Sequence, residues 1–355
     1  MQIAALVSGG VDSSVTIPLL KEKGYDPVIF YIKIGMEDDP SFVDCPSEED
    51  IEITTYIAHK YGCKMEIVDL QKTYWETVVA YTIETVKKGL TPNPDVMCNR
   101  LIKFGAFEQQ FGHQFDKIST GHYARVIENE KGFLLGTAAD PVKDQTYFLG
   151  RITYPQLSKL MFPVGDLQKP EVRKIAEAMK LPSAHRPDSQ GICFLGKINY
   201  NDFIRRYAGE KPGDIIELET GKKLGKHNGF WFHTIGQRRG LGLSGGPWFV
   251  VKKEVNQNIV YVSNGYDPVS QYQEKVYMAE VQLLHPDFVL ESGMRIRFKI
   301  RHQPEFNSGI LLHEKGVWHI HADEPISGVA PGQFAVMYQL DEPICLGSGI
   351  IDQQP

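Results

Sequence analysis

The stretch Ile3-Ala4-Ala5-Leu6-Val7-Ser8-Gly9-Gly10-Val11-Asp12-Ser13-Ser14 begins two residues into the chain. Its first half is a continuous apolar run, the pattern of a strand buried on both faces of a parallel sheet. Its second half breaks into two glycines, three hydroxyls and a carboxylate. Glycines let the backbone approach a ligand closely. The N–H groups of such a turn, opening onto a helix N-terminus, make a site for a polyphosphate. No Gly-Lys-Ser/Thr follows at the spacing of the commoner phosphate loop, so that loop is excluded. The plainer alternative is an ordinary Gly-Ser turn in an α/β domain.

Outward from this turn, strand and helix patterns alternate. Residues 15–22 read as a helix ended by Gly24, with Pro18 near its start. Residues 27–32 read as a strand, 47–61 as a helix (Ile51, Thr54, Ile57 and Ala58 share one face), and 64–68 as a strand. The order predicts an α/β fold, a Rossmann-like parallel sheet with helices on both faces. In such sheets ligands bind beyond the carboxyl ends of the strands, where the Gly-rich turn lies. Further on come a helix at 75–87, the loop Gly89-Leu90-Thr91-Pro92-Asn93-Pro94, a helix at 99–111, and a strand at 117–120 that runs into Gly121-His122-Tyr123-Ala124-Arg125. A helical pattern is expected from about 150 to 195.

Composition shifts near 196, into short Gly-rich segments that include Gly236-Gln237-Arg238-Arg239-Gly240-Leu241-Gly242. From about 270 the pattern is β. Met294, Ile296, Phe298 and Ile300 alternate with Arg295, Arg297, Lys299 and Arg301, which predicts a half-buried strand with a cationic outer face. Similar strands at 310–313, 317–321 and 334–338 suggest a small barrel or sandwich. Three domains follow: 1–195 with the Gly-rich loop, a small central α+β domain at 196–270, and a C-terminal β-barrel at 271–355.

The 355 residues, 42% hydrophobic and 23% charged, are ordinary for a globular protein of two or three domains. No basic stretch with a long apolar core stands at the N-terminus and no segment is long enough to span a bilayer, so a cytoplasmic protein without a membrane partner is expected. Five scattered cysteines without a CxxC pair fit a reducing compartment. The net charge of −6 supplies no overall attraction to nucleic acid, so any RNA contact needs local basic surface.

Two cysteines stand apart. Cys98, in Asn93-Pro94-Asp95-Val96-Met97-Cys98-Asn99, lies between a Pro-rich loop and a helix, where the N-terminal potential favours a thiolate. Asp95 is close enough in sequence to handle a proton. Cys193, in Asp188-Ser189-Gln190-Gly191-Ile192-Cys193-Phe194-Leu195-Gly196, sits in a polar segment that suits a sulfur relay. Taken singly, each is more simply a small buried or incidental cysteine; Cys45, Cys63 and Cys345 are read as structural.

The Gly-rich turn resembles the PP-loop of ATP pyrophosphatases, which cleave ATP to AMP and pyrophosphate. With it, in order, stand the two cysteine segments, Thr120-Gly121-His122-Tyr123-Ala124, Lys143-Asp144-Gln145-Thr146-Tyr147-Phe148-Leu149 and Thr234-Ile235-Gly236-Gln237-Arg238-Arg239-Gly240. Together, over nearly the whole chain, they resemble the tRNA-specific 2-thiouridylase family, which replaces the 2-carbonyl oxygen of the wobble uridine with sulfur. The resemblance implies that Cys193 carries a persulfide, that Cys98 is its partner in a later disulfide, and that Asp95 acts as general acid or base. It implies ATP contacts at Leu6, Val7, Ser8, Gly9, Gly10, Val11, Asp12, Ser13, Ile32 and Gly121, with Asp12 helping to hold the Mg²⁺ that accompanies ATP. It sets Asn93, Pro94 and Asp95 against the target base. It implies tRNA contacts at His122, Lys143, Asp144, Gln145, Arg301, His302 and Gln333, with the uridine flipped out of its stack. A central tRNA-binding domain, a sulfur donor (a cysteine desulfurase or a sulfur-relay protein), targets decoding Lys, Glu and Gln, and a monomer or weak dimer complete the expectation.

One segment departs from the family pattern: in Ile32-Lys33-Ile34-Gly35-Met36-Glu37-Asp38-Asp39 no aromatic residue follows the lysine, which touches the contact named at Ile32. Rival readings are an adenylating amidotransferase, for which no glutaminase-like region is evident, and a non-catalytic RNA-binding homologue. A third is an iron–sulfur-dependent thiolase with Asp95, Cys98 and Cys193 as cluster ligands, disfavoured by the missing CxxC spacing.

Overall fold

The computed structural model describes residues 1–34, 47–188, 200–265 and 269–353. β1 (Ile3–Leu6) is buried at every position, as its unbroken apolar run requires. It pairs in parallel with β2 (Val28–Lys33) on one side and β4 (Lys117–Ser119) on the other. β3 (Met65–Asp69) and the two-residue β7 (Leu160–Met161) extend the sheet in the order β3-β2-β1-β4-β7. Strand order therefore reverses at β1, and the chain leaving β1 enters the crevice where open parallel sheets hold ligands.

That chain becomes α1 (Val11–Glu22), which starts four residues earlier than the sequence pattern suggests. Pro18 consequently lies inside the helix, where it has no N–H to offer the carbonyl of Ser14. Burial of nearly the whole helix, between α2 (Ser47–Tyr61) and the helix Lys169–Ala178, outweighs that loss. The helical residues 71–87 and 94–110 each contain a wide, π-type stretch, at Trp75–Val79 and Asn99–Ala106. The expected long helical region at 150–195 is instead a single turn at Tyr154–Ser158, then β7, the helix Lys169–Ala178 and a 3₁₀ turn at Pro182–His185. Pro155, Pro163 and Gly165 interrupt the periodicity there.

Between β4 and β7 the chain forms a hairpin that the sequence pattern did not announce, β5 (Ala124–Asn129) and β6 (Gly132–Thr137). The hairpin leaves the parallel sheet and joins the C-terminal one. The central region holds the helix Tyr200–Ala208 and a four-stranded sheet of β8 (Gly213–Glu217), β9 (Lys223–His227), β10 (Trp248–Glu254) and β11 (Ile259–Asn264), ordered β10-β11-β8-β9.

The last region is a barrel of β12 (Tyr272–Leu283), β13 (Met294–Lys299), β14 (Asn307–Glu314), β15 (Val317–Ser327), β16 (Phe334–Tyr338) and β17 (Ile344–Ile351). Pairing of β12 with β17 closes the ring, and Val276, Ile296, Phe298, Leu311, Ile320 and Met337 fill it. β6 pairs with the start of β17 through Gly136↔Ile344 and Leu135↔Cys345. The expected cationic outer face of β13 is interrupted: Arg295 is exposed and Arg297 half-buried, but Lys299 is fully buried under the segment that carries Asp144. Among the described residues no helix is long and apolar enough to cross a membrane.

Candidate nucleotide and cysteine site

The loop from Val7 to Gly10 is shaped by contacts that tolerate no side chain. Gly9 has φ +75°, and a Cβ there falls 2.8 Å from the Cα of Asp50. Gly121, just beyond β4, lies against the first turn of α1. A Cβ on it falls 2.5 Å from the backbone nitrogen of Ser13 and 2.6 Å from the carbonyl carbon of Asp12. Gly10 is the N-cap of α1, and the hydroxyl of Ser14 donates to its carbonyl at 2.7 Å. Ser13 Oγ accepts from the N–H of Ser8 at 3.1 Å and lies 3.2 Å from Ser8 Oγ. The sequence-predicted positions Leu6, Val7, Ser8, Gly9, Gly10, Val11, Asp12, Ser13 and Gly121 thus share one corner, at the carboxyl ends of β1 and β4. Ile32 lies near the carboxyl end of the neighbouring β2, paired with Val68 and packed on the core.

Asp12 anchors a network of charges. Its carboxylate accepts from the hydroxyl of Tyr123 at 2.8 Å and from Lys169 Nζ at 2.6 and 2.8 Å. Burial and the neighbouring Asp12 push the phenol of Tyr123 well above its ordinary value, so it stays a donor. Lys169 also reaches Asp188 at 2.9 Å, and Asp188 binds Lys143 and Arg173 at 2.6 Å each. Burial opposes the charge of Asp188, but the hydrogen bonds from Lys143 and Lys169 outweigh it and hold its carboxyl at about 2. Arg186 closes the other side of the loop, donating to the carbonyl of Gly9 at 3.1 Å and to Asp50 at 2.6 Å.

Cys98 lies on a helix that begins at Pro94, not at Asn99 as its sequence suggests. Asn93 is the N-cap, its Oδ1 accepting from the N–H of Val96 at 3.2 Å, and Pro94 occupies the position where a missing N–H costs nothing. Asp95 is half-buried in the first turn; Cys98, one turn in, is buried. The segment packs on Thr146–Leu149, and Asn99 Nδ2 donates to the carbonyl of Phe148 at 3.1 Å. Cys193 and Cys45 lie outside the described residues.

Of the residues expected to meet tRNA, Asp144, Gln145, Arg301, His302 and Gln333 gather along the seam between the parallel-sheet region and the barrel, while Lys143 is held by Asp188. Asp144 is buried; its carboxylate binds Lys299 at 3.0 Å, the hydroxyl of Thr146 and the N–H of Ala138, while its carbonyl lies 3.1 Å from His302 Nε2. His302 stacks on Phe148 with ring centres 4.9 Å apart, and the exposed Arg301 bonds Gln303. Gln145 exchanges hydrogen bonds with the backbone of Tyr123. Gln333 bonds Asn93 and Pro92. His122 stands apart from this seam, between Phe104 and Phe162, with Nδ1 2.8 Å from Thr120 Oγ1. Burial, aided by Lys103, holds its pKa well below the ordinary value, so the ring is neutral at pH 7.

Three family models match consecutive parts of the chain: "tRNA methyl transferase HUP domain" over 1–197, "tRNA methyl transferase PRC-barrel domain" over 201–264 and "Aminomethyltransferase beta-barrel domain" over 273–351. Among curated proteins, the tRNA-specific 2-thiouridylase MnmA of Parabacteroides distasonis is 63% identical over 353 residues, covering 99% of both chains. Those of Porphyromonas gingivalis and Bacteroides thetaiotaomicron are 59% and 60% identical, again over 99% of each chain.

The chain belongs to the tRNA-specific 2-thiouridylase family.

The three-part architecture of this 2-thiouridylase family member matches expectation: a parallel-sheet domain with the Gly-rich loop, a small central domain and a C-terminal β-barrel. Among solved structures, the U34-tRNA thiolase NcsA of Methanococcus maripaludis covers 58% of the chain and 67% of its own, at 18% identity and TM-score 0.36, a likeness too slight to bear on mechanism.

Sequence reasoning assigned no role to Lys169 and Arg173, and placed Arg186 only in a polar loop flanking the Cys193 segment. Lys169 is 157 positions from its partner Asp12. The Gln168/Glu171 capping box announces the helix start but not where its first lysine points. Tyr123 and Asp188 stood inside quoted motifs of the family, yet nothing local assigned them a partner.

Proposed function

We propose that this chain thiolates the 2-position of a tRNA wobble uridine at the expense of ATP. Membership in the family makes it an enzyme, a tRNA 2-thiouridylase that takes tRNA as substrate and uses ATP. The methyl-transferase wording of two domain models does not alter this, because relatives near 60% identical over the full length carry the thiouridylase name.

The observation that carries the finer reading is the Ser8–Ser13 turn at the sheet's reversal point, held by the close approach of Gly121. A loop so placed, from Leu6 to Ser13, suits a triphosphate, with Ile32 and Gly121 near the adenosine. Asp12 offers the carboxylate oxygens that fit Mg²⁺, an ion satisfied by one or two carboxylates plus phosphates and water; that ion would neutralise phosphate charge.

A carbonyl oxygen leaves poorly. Attack of the uridine O2 on the α-phosphorus of ATP expels pyrophosphate and makes O2 part of an adenylate. The terminal sulfur of a Cys193 persulfide then adds to C2 and AMP departs. Cys98 attacks Sγ of Cys193, breaking the S–S bond so that the terminal sulfur stays on C2 and a Cys98–Cys193 disulfide remains. A thiol reductant returns the two electrons, and a desulfurase or relay protein reloads Cys193. Asp95, on the first turn of the Cys98 helix, moves the proton. Asn93 and Pro94 border the base. His122, Asp144, Gln145, Arg301, His302 and Gln333 face the RNA directly or through the side chains they hold, whereas Lys143, expected beside them, is held by Asp188 in the charge network of the Gly-rich loop. The reaction belongs to the cytoplasm, on tRNAs for Lys, Glu and Gln, with the enzyme a monomer or weak dimer and the chain divided near 195 and 270.

The test is nucleoside mass spectrometry of unmodified tRNA after incubation with protein, ATP, Mg²⁺ and a sulfur donor. Wild type is expected to form 2-thiouridine, and Cys98→Ser and Cys193→Ser none, with ATP binding retained. Product formed by both variants would sink the relay. Iron that copurifies anaerobically and is required for activity would replace it with cluster chemistry.

A further inference from the structure

Asp140, buried, holds two lysines of different segments in place through their backbones. One of its oxygens accepts the N–H groups of Val142 and Lys143 at 3.0 and 3.1 Å, the other that of Lys169 at 2.9 Å. The side chains so fixed converge, with Arg173, on the carboxylate of Asp188 at 2.6, 2.9 and 2.6 Å. Three cations on one carboxylate exceed what a structural tie needs; a doubly charged phosphoryl group is the anion such a set matches. Lys169, its side chain 9% exposed, joins this cluster to Asp12 of the Gly-rich loop at 2.6 Å.

We propose that Lys143, Lys169 and Arg173 form a phosphate subsite continuous with the Gly-rich loop, and that the Asp188 carboxylate fills it until a nucleotide polyphosphate takes its place. This rests on the ATP reading above. With Asp12, Asp140 and Asp188 in place the charges of the cluster balance, and release of Asp188 leaves the three cations with a net positive charge for an incoming anion. Nucleotide phosphate is favoured over RNA phosphate because Lys169 is buried and touches the loop itself. Exchange is a competition for the same donors: phosphate oxygens take the N–H groups that Asp188 releases.

The sign of one effect tests this. Binding of inorganic pyrophosphate, of MgATP and of unmodified tRNA to the full-length protein is measured by titration calorimetry for wild type, Asp188→Asn, Asp188→Ser and Lys169→Met, with circular dichroism to confirm folding. Removing the competing carboxylate is expected to tighten pyrophosphate binding by about tenfold in both Asp188 variants, and Lys169→Met to weaken it by about as much. Unchanged or weaker binding in the Asp188 variants makes Asp188 an organiser of the lysines and overturns the proposal. A gain seen with tRNA but not with pyrophosphate overturns it as well, assigning the cations to the RNA backbone. Failure of wild type to bind MgATP at all brings down the nucleotide reading, and the subsite with it.

Discussion

Gln333 of the barrel and Asn93, the N-cap of the Cys98 helix, are joined side chain to side chain across 240 positions of sequence. Asn93 Nδ2 donates to Gln333 Oε1 at 3.1 Å, and Gln333 Nε2 donates to the carbonyl of Pro92 at 2.7 Å. The buried hydroxyl of Tyr147 lies 3.4 Å from the same Asn93 nitrogen. The barrel thereby fixes where the helix bearing Asp95 and Cys98 begins, and the amide of Gln333 is both donor and acceptor in doing so.

Gln333→Ala leaves Nδ2 of Asn93 with only the long contact to Tyr147. A loss of about 1–3 kcal/mol is expected, the cost of leaving buried polar groups without partners. Gln333→Glu keeps the acceptor but turns the donor into an oxygen facing the carbonyl of Pro92, so it is expected to rescue neither stability nor thiolation. Chemical denaturation and the thiolation assay on both variants check this; full activity in the alanine variant would refute the coupling.

Asp144 and Lys299 form an ion pair buried on both sides, at 2% and 1% side-chain exposure. Removing one partner strands the other charge, so Asp144→Leu or Lys299→Met alone is expected to cost about 3–5 kcal/mol. The double variant is expected to cost clearly less than the sum, because no charge remains to be solvated. Thermal midpoints of the four proteins give the cycle directly.

Two loop glycines differ in what surrounds them. Gly121→Ala drives a methyl into the backbone of Asp12 and Ser13 and is expected to destabilise by about 1–3 kcal/mol and weaken ATP binding. Gly10→Ala, at φ −75° with nothing closer than 3.8 Å, is expected to fold normally. A calorimetric scan with and without MgATP separates the two.

Asp188 titrates near 2 in the folded protein and near about 3.9 when unfolded. Its folded value is the lower, so its contribution is fully present above about pH 4 and is lost as pH falls toward about 2. Wild type should exceed Asp188→Asn in thermal midpoint at pH 6, with the gap closing as the pH drops through that window. A gap independent of pH would contradict the assignment.

Burial pushes Lys253 down to about 8, with the carbonyl of His233 at 3.1 Å as a partner. The unfolded lysine, at about 10.4, binds more protons than the folded one between these values, so stability should rise as pH climbs from about 8 to 10. In Lys253→Met that rise is expected to shrink. Thermal midpoints of the two proteins across this range are the check.

The parallel sheet was legible because β1 and β2 are apolar runs bounded by turns, and the barrel because β13 alternates strictly. Local pattern could not reveal that Lys299 is covered, since its place in the alternation is that of an exposed cation. The partner Asp144, 155 positions away, makes its burial tolerable, with the Phe306 ring beneath the ammonium. The hairpin Ala124–Thr137 escaped for a similar reason: its strands belong to a sheet whose other members follow more than a hundred residues later. Within the site, the Gly-rich loop announced itself by composition, and the Cys98 segment only through its place among the motifs that carry the family resemblance. Lys169 and Arg186 did not, because a lysine or arginine at the edge of a helix looks like solvated surface until its distant carboxylate is known.

That same hairpin bears on how the chain is made. Its strands leave the ribosome some two hundred residues before β17 (Ile344–Ile351), so β6 waits without its barrel partner throughout synthesis. A barrel expressed alone would meet the converse problem, with Ile344 and Cys345 presenting backbone edge that β6 ordinarily covers, an invitation to pair with another copy. Cutting the gene at the apparent joint would thus yield two sticky fragments, whereas co-expressing both pieces offers each its missing strand.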